Sequence, residues 1–140
     1  MMQEIDEKRT DTVFAVLAIG HAVLVFINAH FRQQVYSSYS MSDYRFLLLF
    51  VMLMPMAAAA LLSIKGRRYG LILLLSLNPA FFIGSLYDRF FPALPAGISI
   101  ASFGSKILFE VSYWLMLSAE SVMFIFATKL FKKFHALKES

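Results

Sequence analysis

Residues 12–31, 46–64, 69–87 and 107–131 of this chain are each apolar over close to the length that crosses a bilayer. About 20 helical residues, rising about 1.5 Å each, span a hydrocarbon layer of about 30 Å. A backbone surrounded by lipid must satisfy its own hydrogen bonds, so only helices and closed barrels can cross. Barrel strands alternate apolar and polar residues with a period of two, and these runs show no such alternation. They predict four transmembrane helices. Composition closes off the soluble alternative. The chain is 59% hydrophobic and 16% charged, against roughly 45–50% and about 25% in an average soluble domain. A domain of 140 residues has too little interior to hide that excess. The expected fold is an all-α membrane protein, a single four-transmembrane-helix bundle over residues 1–140.

The connections suggest a topology. "KGRR", residues 65–68, permits only a tight hairpin, making the second and third helices antiparallel neighbours. Residues 32–45 are polar and carry Tyr36, Tyr39 and Tyr44, a residue type suited to the headgroup layer. The longest connection, residues 88–106, is apolar but holds two prolines and two glycines. That content argues for a short interfacial helix or lid and against another span. Nine basic residues (Lys8, Arg9, Lys65, Arg67, Arg68, Lys129, Lys132, Lys133 and Lys138) fall on one side, against Arg32, Arg45, Arg89 and Lys106 on the other. The positive-inside rule then places both termini in the cytoplasm, in a cell (inner) membrane. The tail "KLFKKFHALKES" reads as a basic helix lying on an anionic leaflet, with His135 a solvated residue. The start, "MMQEIDEKRTD", is acidic as well as basic, and no small-residue cleavage site follows the first apolar run. That run is therefore expected to be a retained helix.

Against this background Glu120, inside "LMLSAESVMF", is out of place. A charged side chain at the bilayer centre costs about 2.5–3.5 kcal/mol on insertion scales. The midpoints of the four runs fall near His21, Pro55, Asn78 and Glu120, so each helix places its most unusual residue at one depth. At about 100° per residue, Glu110, Tyr113, Leu117, Glu120, Ser121, Phe124 and Thr128 share an arc of roughly 100°, with Trp114 and Met116 just outside its edges. His21 and Asn28 share a face of the first helix, with His30 opposite; Asn78 and Ser85 share a face of the third. The expectation is that His21 and Glu120 meet, directly or through one water, with Asn78 nearby. His21, Asn78, Tyr113, Glu120 and Ser121 are the candidate ligand or ion-pathway residues. Pro55 and Pro79 lack an N–H, which deprives the Val51 and Leu75 carbonyls of their helical donors.

Each of these residues also has a purely structural reading. Asn78 and the serines serve as interhelical hydrogen-bond glue, and the prolines as ordinary kinks. The alanines at 57–60 mark a close-packing or oligomer face. His30 sits at headgroup level, Glu110 near Lys106 at the water boundary, and the eight methionines and fifteen phenylalanines fill core or face lipid.

Several chemistries are absent from the sequence. With no cysteine, there are no disulfides, thiolate metal sites or thiol nucleophiles. There is no phosphate-cradling glycine loop, no H-E-x-x-H and no G-x-S-x-G. Haem held by two histidines needs a second histidine at matching depth. No cofactor, metal or catalytic residue is expected, and the net charge of +4 belongs to the flanks of apolar runs rather than to nucleic-acid binding. In size and helix count the chain is similar to small multidrug transporters. Their pattern centres on a glutamate in the first helix, where this chain has His21, and no motif identifies a family. Three functions follow in order. The first is a non-catalytic component or accessory subunit of a membrane complex, embedded in the lipid bilayer as a homo-oligomer or with other membrane subunits. The second is ion, proton or small-molecule passage through a Glu/His pair. The third is an enzyme on a lipid or quinone, with the pair as acid and base.

Overall fold

A computed structural model describes the backbone of residues 2–36, 40–63, 67–90 and 103–139, and the side-chain surroundings of residues 9–36, 40–61, 69–87 and 103–132. Among the described residues there are four helices and no strand: α1 (Met2–Val35), α2 (Arg45–Ser63), α3 (Arg67–Phe90) and α4 (Phe103–Glu139). They pack in a ring, α1 against α2 and α4, and α3 against the same two. Along the α1–α4 seam, Phe14 meets Phe126, His21 meets Glu120, Asn28 meets Ser112 and Gln34 meets Ser105. One series ascends as the other descends, so the two helices are antiparallel. The start of α1 and the end of α4 share one end of the bundle.

The seam has a heptad pattern. Phe14, Ala18, His21, Val25 and Asn28 are buried on α1 at alternating steps of four and three. Phe109, Tyr113, Met116, Glu120, Met123 and Ala127 repeat the same steps on α4. A repeat of seven over two turns keeps one stripe facing its partner when the helices cross at a shallow angle. This stripe is not the polar arc read from the sequence. Met116 and Met123 lie inside it, whereas Phe124 is exposed, because packing follows the seam and not the polarity of single residues.

Burial divides the interior into layers. Towards the termini, Phe14, Ala18, Ala58, Ala59, Leu71, Leu74, Met123 and Ala127 form one apolar cluster. Towards the other end, Val25, Tyr113, Met116 and Leu117 form a second, with Phe82 and Leu86 packed against it. The outer surface is apolar too. Val16, Ile19, Phe26, Phe46, Ile83 and Leu115 are all exposed, far more than a soluble monomer presents. Three helices contain stretches long and apolar enough to cross a membrane: Arg9–Val35, Tyr69–Tyr87 and Phe103–Lys132. Arg45–Leu61 of α2 is a shorter apolar helix. These features mark a membrane protein.

Some expected boundaries move. α1 takes in residues 2–11 and extends to 34 residues, about 51 Å at the α-helical rise. Glu, Lys and Arg are good helix formers, so the charged start prolongs the helix instead of ending it. At the other terminus α4 is one unbroken helix of 37 residues. The basic tail therefore continues that helix, with no break at which it could turn to lie flat as expected. The interfacial helix or lid expected within 88–106 falls largely outside the described residues, with only its ends included in α3 and α4. Of the four alanines, Ala58 and Ala59 pack inside the bundle, while Ala57 and Ala60 face outward.

Candidate functional site

Between the two apolar clusters lies a polar layer built from three helices. His21 on α1, Asn78 on α3 and Glu120 on α4 are all essentially fully buried, and Pro55 of α2 is buried as well. The heptad spacing carries His21 and Glu120 into the seam together. Each lies in the series between apolar neighbours, Ala18 and Val25 on one helix, Met116 and Met123 on the other. There Nε2 of His21 shares a hydrogen bond with Oε1 of Glu120 at 2.9 Å. This contact answers the desolvation of two ionisable groups. Removing one partner of such a buried pair strands the other and costs about 3–5 kcal/mol.

The contact uses two of the layer's six side-chain polar atoms. Nδ1 of His21, Oε2 of Glu120 and both amide atoms of Asn78 are buried without a hydrogen-bond partner. A buried polar atom left unmatched costs about 1–3 kcal/mol, so four on three side chains in one layer require a physical reason. Pro55 and Pro79 add local slack, since neither can donate to the carbonyl one turn earlier.

The chain matches no known protein family, no characterised protein and no solved structure. What the layer can do therefore rests on its own chemistry: two ionisable groups that share a hydrogen bond, and an amide that offers both donors and an acceptor.

The other expected site residues go elsewhere. The Tyr113 hydroxyl donates to the Ser85 carbonyl on α3 at 3.1 Å, about two turns from Glu120. The Ser121 hydroxyl donates to the Leu117 carbonyl of its own helix at 2.9 Å. His30, expected at headgroup level and not in the site, is exposed and accepts from Gln34 Nε2 at 3.1 Å.

A second polar cluster was only half visible in the sequence. Asn28 Nδ2 donates to the Phe109 carbonyl and to Ser112 Oγ, both at 3.1 Å, and Ser112 Oγ donates to the Phe109 carbonyl at 3.0 Å. The sequence puts Asn28 on the His21 face, but nothing local marks Ser112. The signal for it was register: an antiparallel α4 that puts Glu120 opposite His21 puts residues near 112–113 opposite Asn28. No group of three or more His, Asp or Glu side chains is close enough to hold a metal ion among the described residues.

Proposed function

We propose that this chain is a multi-pass inner-membrane protein with four spans and both termini in the cytoplasm, serving as a non-catalytic component of a membrane complex. α2, at 19 residues, extends about 28 Å and fits the fourth crossing. The ring arrangement supports the topology. The apolar cluster joining Phe14, Ala58, Leu71 and Ala127 gathers the start of α1, the end of α2, the start of α3 and the end of α4. In the sequence, nine of the 13 Lys and Arg residues lie next to those helix ends, and such an excess faces the cytoplasm.

One observation carries the functional reading. Of the polar side chains expected to line a pathway, His21 with Glu120 and Tyr113 with the α3 backbone tie helices together, Ser121 bonds its own helix, and Asn78 is left without a hydrogen-bond partner. A polar residue in a heptad seam fixes register and partner choice among helices, which is what a small subunit needs in order to present one lipid-facing surface. Association then involves other membrane subunits or further copies of this chain, with Ala57 and Ala60 offering a low-relief outward face. Purification in a mild detergent or in native nanodiscs tests this. The expected result is a mass above one chain, or a defined set of co-purifying membrane subunits. A lone monomer that by itself sustains flux or turnover would sink the reading. Orientation has its own check, in which labelling of a Ser140→Cys variant from outside intact cells overturns the topology.

A second reading, ion or proton passage, is favoured by the four unmatched atoms around His21, Asn78 and Glu120. Reconstituted vesicles under a pH gradient test it. Glu120→Gln keeps shape and hydrogen bonding but removes the charge, so flux should be lost while the fold remains. Flux equal to that of protein-free vesicles ends this reading.

A further inference from the structure

We propose that the middle layer is an internal water site, in which water bridges the Asn78 amide to the free atoms of the His21–Glu120 pair. The unmatched atoms specify the ligand. Asn78 Nδ2 is a donor, while Asn78 Oδ1 and Glu120 Oε2 are acceptors. His21 Nδ1 takes either role according to the protonation of the ring. A bare cation would answer the two oxygens and leave the Asn78 N–H groups unmatched. An anion would answer the donors and sit against a carboxylate. A molecule that both donates and accepts answers all four, and water is the smallest that does. Buried water commonly makes two to four hydrogen bonds to groups of this kind.

The surroundings fit. Among the described residues the ionisable groups of the layer are His21 on α1 and Glu120 on α4; α2 contributes Pro55 and α3 contributes Asn78, neither of which titrates. The clusters on either side contribute one hydroxyl, that of Tyr113, which donates to the Ser85 carbonyl. The site goes beyond the structural role proposed above, because a device that only sets register needs no hydration.

The chain supplies its own control, since it contains only two asparagines. Asn28 is 7% exposed and Asn78 1%, so simple accessibility ranks Asn28 as the wetter. Hydration of the layer reverses that order. The experiment is water-edited solid-state NMR on the full chain in lipid bilayers, with asparagine and histidine labelled with nitrogen-15 and His21 assigned in a His30→Gln, His135→Gln background. Magnetisation should pass from water to the Asn78 side chain more strongly than to that of Asn28, and should also reach the His21 ring. In Asn78→Leu the transfer to His21 should be lost. Transfer to Asn78 no stronger than to Asn28 overturns the proposal, as does transfer to His21 that persists in Asn78→Leu. If Asn78→Leu does not fold, the ratio of the two asparagines in the unaltered protein decides alone. The readout is hydration rather than assembly or flux, so this proposal and the functional reading can fail separately.

Discussion

Two polar clusters lie on the α1–α4 seam, seven residues apart on α1, and they are built on different terms. The outer one, Asn28 with Ser112 and the Phe109 carbonyl, is uncharged, and the Asn28 amide makes two hydrogen bonds within it. The inner one, His21 with Glu120, is ionisable, makes a single bond and leaves four atoms unmatched once Asn78 is included. An uncharged, well-bonded contact between helices is modest glue, because the polar groups find other partners when the helices separate. An ionisable pair buried between apolar layers is different. Its members tolerate the interior only together, so the pair commits α1 and α4 to one register. The outer cluster could be lost at little cost; the inner one could not be half lost.

The largest expected effect follows from that asymmetry. His21→Leu should lower stability by about 3–5 kcal/mol, because it leaves Glu120 buried and unpaired. Adding Glu120→Leu should restore part of the loss, since replacing both members with apolar residues removes the stranded charge. Unfolding of the reconstituted protein by titration with a denaturing detergent measures both. A double variant no more stable than the single one would show that the pair does not act as a unit.

Next in size is Ala58→Leu. Ala58 lies in the apolar cluster with Phe14, Leu71 and Met123, so the added bulk overpacks a filled interior at a cost of about 1–3 kcal/mol. The same titration reads it. A variant with unchanged unfolding but weakened subunit association would mean that this alanine faces outward.

The outer cluster should respond less. Asn28→Ala is expected to cost about 0.6 kcal/mol and no more than about 1.7, the range seen for interhelical hydrogen bonds in membranes. The Phe109 carbonyl and the Ser112 hydroxyl keep each other as partners when Asn28 is removed. A loss as large as that of His21→Leu would erase the distinction between the clusters.

How much of this was legible beforehand depends on the scale of the signal. The helices show because lipid demands long apolar runs, and α1, α3 and α4 contain stretches that answer that demand. The meeting of His21 and Glu120 was foreseeable because equal depth and the cost of an unpaired charge both point to it. Ser112 escaped notice because a serine in an apolar helix has no signature of its own; its importance comes from register. Ser121 drew notice for the opposite reason. It neighbours Glu120 in sequence and shared the polar arc, but a serine hydroxyl within a helix readily bonds the carbonyl one turn back, as this one does. The buried stripe shifted towards Met116 and Met123 because two helices crossing at a shallow angle select positions by heptad and not by polarity.

Ser121 therefore supplies the smallest effect and the sharpest boundary to the inner cluster. Its hydroxyl donates to the Leu117 carbonyl at 2.9 Å, an acceptor that a helical N–H already serves. Ser121→Ala leaves that carbonyl with its backbone donor and leaves no polar atom newly stranded. The expected change in stability is within about 0.5 kcal/mol, as for substitutions away from special features. Transfer of magnetisation from water to His21 should also be unchanged, because the hydroxyl is turned towards its own helix and not towards the layer. Glu120 stands one residue earlier, so the contrast between neighbours tests geometry and not depth. A Ser121→Ala loss near that of His21→Leu, or a dried His21, would extend the polar layer beyond its three side chains and would require Ser121 to have a second rotamer that reaches it.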